Sequence, residues 1–201
     1  MKTLFKLIIF LILTFGNSFA EDYSGFSFGY TKHITEDPHD SVGTTYFSDP
    51  EDNGFVISFF SGQKSDGTAI EGELSYYSEV TQKLTSDVNV DVSTFSSMLN
   101  VMATPGEADF YGIIGGGVGI GYTTVDTSYK SGSETFNGDE KTFQFGYQFM
   151  LGFGSKNYEI ILKRSNFGEV EGGSGTTSAG SSYVADEFDN IYNSIVFKVK
   201  Y

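Results

Sequence analysis

The sequence predicts an all-β chain, an eight-stranded antiparallel up-and-down transmembrane β-barrel, and three observations carry that prediction. Segments of period-2 alternation recur along the chain with turn signals between them. Beyond residue 20 no apolar run approaches the roughly 20 residues that a spanning helix needs, so membrane insertion requires a closed barrel. The final run alternates Ile195, Phe197, Val199 and Tyr201 with Val196, Lys198 and Lys200 and ends on a large aromatic. Ends of soluble chains usually fray into polar residues, whereas a closing barrel strand needs one apolar face and tolerates charge on the other.

The first twenty residues read as a cleavable signal peptide. Lys2 and Lys6 form a basic start, 7–15 is almost wholly apolar, and Ser18, Phe19 and Ala20 offer a cleavage site. One domain, 21–201, then holds eight segments. The first, 23–33, has Phe26, Phe28 and Tyr30 on one face. In the second, 54–62, Phe55, Ile57 and Phe59 alternate with Val56, Ser58 and Phe60. The third, 69–81, puts Ile70, Gly72, Leu74, Tyr76, Ser78 and Val80 on one face and Glu71, Glu73, Ser75, Tyr77 and Glu79 on the other. The fourth, 88–103, is less regular, and a bulge near Thr94 would shift its phase.

The fifth segment, 109–125, alternates Phe110, Ile114, Val118, Ile120 and Tyr122 with a glycine-rich face. The sixth, 141–153, is the clearest dyad repeat, with Phe143, Phe145, Tyr147, Phe149, Leu151 and Phe153 opposite Gln144, Gly146, Gln148, Met150 and Gly152. The seventh, 157–167, sets Tyr158, Ile160 and Leu162 against Glu159, Ile161 and Lys163, and the eighth is 191–201. Connections alternate between short (63–68, 104–107, 154–156) and long (34–53, 126–140, 168–190), with an intermediate one at 82–87. That layout is the one used by bacterial outer-membrane barrels, with termini and short turns periplasmic and long loops outside. A soluble barrel such as a lipocalin-like periplasmic binding protein shares the period. Aromatics near strand ends (Tyr23, Tyr122, Phe153, Tyr158, Tyr201) and small or charged residues opposite them favour the membrane form, with apolar side chains outward.

Composition narrows the function. The chain has 12 Lys+Arg and 26 Asp+Glu, a net charge of −14 that becomes −16 when Lys2 and Lys6 leave with the signal. Such acidity speaks against nucleic acid, which needs a basic patch. The absence of cysteine removes disulfides, thiolate nucleophiles and Cys-ligated metals.

The runs Phe110-Tyr-Gly-Ile-Ile-Gly-Gly-Gly-Val-Gly-Ile-Gly-Tyr122, Phe143-Gln-Phe-Gly-Tyr-Gln-Phe-Met-Leu-Gly-Phe153, Tyr158-Glu-Ile-Ile-Leu-Lys-Arg-Ser-Asn-Phe-Gly168 and Ile195-x-Phe197-x-Val199-x-Tyr201 resemble the small outer-membrane barrel family of opacity-type surface antigens and OmpX/OmpA-like barrels. The resemblance covers nearly all of 21–201. It implies an integral outer-membrane protein of a Gram-negative-type cell, in a family whose members serve as adhesins, immune-evasion antigens or envelope-stabilising proteins.

Few residues offer chemistry. Gly117-x-Gly119-x-Gly121 lacks the dinucleotide spacing and no helix follows, so these glycines read as inward space. Glu71, Glu73, Glu79 and Glu159 share the inward face with Lys163, Lys198 and Lys200. Glu159 is expected near Lys198 or Lys200, in a salt-bridged plug that pins the register, with an ion-conducting lumen as the alternative. Phe197, Val199 and Tyr201 form the expected assembly signal for the barrel-assembly machinery. His39-Asp40-Ser41 superficially resembles the His-x-Ser of lipid A deacylases but falls in a loop beside Pro38. Acids cluster in the long loops, where a solvated surface or divalent bridging to lipopolysaccharide is expected. The Gly/Ser/Thr run at 172–182 reads as a variable contact tip. No enzyme activity, cofactor or metal site is expected. The expectation is a non-enzymatic surface or structural protein, adhesin-like or envelope-stabilising, in contact with outer-membrane lipid and lipopolysaccharide. A passive small-solute channel is the alternative. The loops name no external protein or host ligand.

Overall fold

A computed structural model describes residues 21–34, 51–85, 88–107, 109–131, 134–172, 174–176, 180, 182–184 and 187–201. The expected signal peptide, His39 with most of the first acidic loop, and parts of the 172–182 run lie outside the described residues. The described residues form one sheet of β1 (Glu21–Ile34), β2 (Glu51–Ser65), β3 (Thr68–Thr85), β4 (Val88–Ala103), β5 (Gly106–Glu107), β6 (Phe110–Ser131), β7 (Glu134–Gly154), β8 (Tyr158–Val170), β9 (Ser174–Thr176), β10 (Ser182–Val184) and β11 (Phe188–Lys200), with no helix among them.

Eight of these strands close into a ring, β1-β2-β3-β4-β6-β7-β8-β11 and back to β1, every pair antiparallel. Closure gives every barrel strand a neighbour on both sides, although β7 pairs with β8 only from Tyr147 to Gly154. Paired residues followed round from Lys32 pass through Asn193, Arg164, Phe149, Gly116, Val101, Ile70 and Gln63 to Asp22 on the same strand. The offset, 32 − 22, is a shear of 10 residues. With eight strands at ordinary spacing this tilts them by roughly 40° to the axis.

Local chemistry explains the short connections. β2 and β3 are joined by Asp66-Gly67 alone, both at positive φ (47° and 75°), the pairing a two-residue type I′ hairpin demands. Ser155–Asn157 joins β7 to β8, and the β1 and β11 ends, where Gly25 pairs with Lys200, lie at the same rim. The long connections leave from the opposite rim.

Three expectations need correction. The bulge is on β3 rather than near Thr94 of β4: Tyr77 pairs with Thr94 and Val80 with Val92, so Ser78 and Glu79 together face Ser93. β4 keeps its inward phase from Val90 to Met102 without interruption. The extra β3 residue reverses that strand's phase, so Ser78 and Val80 turn inward and Glu79 turns out into an exposed position, away from the other glutamates. Tyr23, expected among the outward aromatics, shares the inward phase of Ser27 and Thr31, and its hydroxyl donates to Glu71 at 3.2 Å. The segment 126–140 is mostly paired strand rather than loop, because β6 and β7 run on as a hairpin to Ser131 and Glu134. Thr, Tyr and Phe at 127, 129, 135 and 136 suit a pleated ribbon, and charged residues such as Asp126 and Asp139 sit on its outer side.

Polarity is reversed relative to a soluble barrel. The inward positions at the short-turn end and mid-height are rich in Ser, Thr, Asn, Gln, Glu and Lys. The outer wall carries Phe26, Phe28, Tyr30, Phe55, Ile57, Phe59, Phe145 and Phe149, all exposed, Phe145 to 89%. A lipocalin-like carrier needs its apolar face inside, so this arrangement excludes that reading. Towards the long-connection end the interior changes character. Val80, Val90, Val92, Val125, Val170 and Phe188 form a buried apolar crown there.

Candidate functional site

The lumen is filled in layers, and the lowest holds the charges. Lys198 Nζ binds both Glu71 oxygens, at 2.7 and 2.6 Å, and lies 3.7 Å from Glu159 Oε2. Lys200 Nζ reaches Glu159 Oε1 at 2.7 Å and also bonds the Tyr111 hydroxyl. Lys163 pairs with Glu73, whose carboxylate also accepts from Ser75 at 2.6 Å, Ser58 at 3.3 Å and Asn100 at 3.1 Å. Every ion in the group is nine-tenths buried or more, yet the three lysines match the three glutamates. Desolvation on this scale is tolerable only with such pairing and with hydroxyl and amide donors on the remaining lone pairs.

Register puts these groups together. Glu159 and Lys198 are cross-strand partners on β8 and β11. Glu71 and Glu73 reach them across the lumen from β3, while Glu79 does not belong to the group. Aromatic faces close its edges: Lys198 sits 3.9 Å from the Phe60 ring centroid and Lys64 3.5 Å from that of Tyr111. A polar chain leads upward from Asn100 to Gln148 (2.6 Å), Ser165 (3.1 Å) and Tyr77 (2.9 Å).

The next layer blocks the bore. Tyr77 of β3 stacks on Tyr192 of β11 with centroids 4.3 Å apart, and Phe167 of β8 packs edge-on against both, at 5.8 and 6.2 Å. All three rings are fully buried. Room for Phe167 comes from glycine: a Cβ on Gly146 would sit 2.5 Å from its ring and one on Gly121 2.7 Å. The inward glycines therefore mark space used by neighbouring side chains. A Cβ on Gly117 would likewise fall 2.0 Å from Asn100 Oδ1.

Above the rings lies a network that sequence reasoning did not anticipate. Gln82 donates from Nε2 to His33 Nδ1 at 2.6 Å, which leaves the proton on Nε2 to be donated to Asn190 Oδ1 at 3.0 Å. Asn190 then donates from Nδ2 to Thr123 at 2.8 Å and Thr94 at 3.2 Å, and Thr94 bonds Tyr192 at 3.0 Å. The available signal was the position of His33, two residues beyond Thr31 on the inward phase of β1. With the apolar crown above, charge, rings, amides and aliphatics together occupy the described bore.

Phe197 and Val199 lie on the outer phase of β11, and Tyr201 follows the strand with its side chain exposed. The outer wall is not uniform in height. On β7 the outward aromatics continue past Phe149 through Tyr147, Phe145 and Phe143, whereas on the adjacent β8 the apolar run stops at Leu162 and Arg164 follows. A groove of about 660 Å³ lies in this part of the wall, across β1, β11, β8, β7 and β6.

Neither a protein-family model nor a curated protein matches the sequence. Solved structures do. The attachment invasion locus protein Ail of Yersinia pestis, solved with the heparin analogue sucrose octasulfate, is similar over 90% of this chain and 99% of its own, with a TM-score of 0.54 and 14% identity. The outer-membrane protein OprG of Pseudomonas aeruginosa is similar over 90% of this chain and 96% of its own, with a TM-score of 0.57 and 14% identity. Neisserial surface protein A gives 0.51 at 12% identity, over 91% of this chain and 98% of its own. At these identities the likeness is one of backbone. The chain has the fold of the small eight-stranded outer-membrane β-barrels.

Proposed function

We propose that this chain is an integral outer-membrane barrel with a plugged lumen, working as a non-enzymatic surface or envelope-stabilising protein through the end that carries its long connections. The observation that carries the reading is the combination of an apolar outer wall with a bore filled by paired charges and stacked rings. The wall demands lipid around it. The filling of the described bore counts against the passive channel. In this reading the termini and short turns are periplasmic, residues 1–20 are removed on export, and the outward strand ends Phe197, Val199 and Tyr201 engage the assembly machinery. Glu71, Glu73, Glu159, Lys163, Lys198 and Lys200 are then structural, fixing strand register from inside.

The adhesin-like form of the proposal draws on the resemblance to Ail, an attachment protein by its name. A sulfated polyanion is not the contact to expect here, since a net charge of −14 repels it. The test is gel mobility of the outer-membrane fraction, unboiled against boiled, followed by planar-bilayer recording of the purified barrel. A heat-dependent shift with no conductance steps supports the proposal. A heat-insensitive soluble band overturns the membrane reading, steady conductance overturns the plugged lumen, and a change in lipid A mass on expression overturns the non-enzymatic role.

A further inference from the structure

Resting on the membrane reading above, we infer that the groove on the outer wall between β1 and β7 is a lipid site, which holds the phosphate of an outer-leaflet lipid between Lys32 and Arg164 and its acyl chain beneath. Register creates the site. Asn193 of β11 is the direct cross-strand neighbour of Lys32 on β1 and of Arg164 on β8, all three on the outer face. Two strand spacings therefore separate the cations, roughly 10 Å between backbones, a gap that two long side chains can close around one phosphate with the Asn193 amide between them.

One row closer to the short-turn end, the same wall turns apolar. Tyr30, Ile195, Leu162 and Leu151 are exposed and consecutive around the ring. They form the floor of the open groove of about 660 Å³.

Two features select a lipid over a soluble anion. The floor is apolar and lies on the exposed outer wall. The apolar phase also reaches higher than the cations, because Tyr147, Phe145 and Phe143 on β7 continue past the pairing of Arg164 with Phe149. Basic side chains at that height lie where the phosphate of an outer-leaflet lipid can meet them from within the leaflet. Both basic side chains also interact with the protein itself, and a phosphate joining them adds to those contacts.

The test compares phosphatidic acid with diacylglycerol of the same chains, offered to the purified, detergent-solubilised barrel and scored by native mass spectrometry. Phosphatidic acid should be retained at least about tenfold more tightly than diacylglycerol, and R164Q with K32Q should remove that preference. K141Q, a cation on the outer face of β7 above the groove, should leave it intact. L162W, which fills the floor without altering charge, should weaken phosphatidic acid as well, and every variant is first checked for the heat-dependent gel shift. Equal retention of the two lipids by the wild type, unchanged preference in the double variant, or displacement of phosphatidic acid by millimolar inorganic phosphate would each overturn the site. A barrel that shows the gel shift yet fails these arms keeps the membrane reading and loses only the lipid site.

Discussion

Lys163 of β8 and Glu73 of β3 stand on diametrically opposed strands, four places apart round the ring in either direction, and their ion pair crosses the lumen from wall to wall. Neither group has water to fall back on. Removing one partner strands the other, and the expected cost of K163M is about 3–5 kcal/mol. K163M combined with E73L should recover a large part of that loss, since an apolar pair of similar volume avoids the desolvation penalty. Urea or guanidinium unfolding in micelles, followed by the gel shift, compares K163M, E73L and the double variant. Singles no worse than the double would show that the pair contributes nothing.

The slot beneath Phe167 makes a steric prediction. G146V drives methyl groups into a ring already 2.5 Å from the position of a Cβ, and should destabilise by about 1–3 kcal/mol. F167A in the same chain should relieve the clash, so that the two changes together cost less than their sum. Additive midpoints would mean that the ring does not occupy the glycine slot.

For His33 the prediction concerns hydrogen bonding. H33L removes the acceptor of Gln82 and the donor to Asn190 while keeping most of the volume. Each orphaned amide costs about 1–3 kcal/mol. The loss should shrink when Gln82 is also changed to Leu. Proton exchange of the Gln82 side-chain amide, which donates to His33 Nδ1, should accelerate in H33L and stay slow in the wild type when followed by NMR.

Outward positions test what surrounds the barrel. Ile57 is about half exposed. At an ordinary solvated surface an arginine there would change stability by less than about 0.5 kcal/mol, but in lipid it costs about 2–4 kcal/mol near mid-bilayer. Refolding of I57R into vesicles, compared with S61R towards the short-turn rim, reads the difference. Equal behaviour of the two would argue against lipid contact at Ile57.

Period-2 alternation made the fold legible, because a barrel wall writes inside and outside into successive residues. The staves at 88–103, 141–153 and 191–201 were placed to within a few residues, apart from the extension of the β6–β7 hairpin. The failures have one physical origin each. A single inserted residue at Ser78-Glu79 is invisible in composition but inverts everything after it, which is why Glu79 was misassigned. Tyr23 looks like an interfacial aromatic by type, yet one step of phase sends it inside to Glu71. Glu159 with Lys198 was readable because neighbouring strands set the pair. The bonds from Glu71 and Glu73 across the lumen were not, since sequence order does not say which opposite walls side chains will bridge. The ring stack and the His33 chain depend on that same third dimension.

The closing seam joins β1 to β11, so Phe28 bonds to a strand whose partner residue is Phe197, at the other end of the chain. This has a kinetic consequence. Until the last strand arrives, the first has no second neighbour, and a partial sheet offers two bare edges to any other chain nearby. The loop that this seam closes is nearly the whole domain, the slowest kind of contact to form. A chain lacking only β11 is therefore expected to yield aggregate rather than a seven-stranded relic, and escape from that hazard depends on how quickly the two ends are brought together.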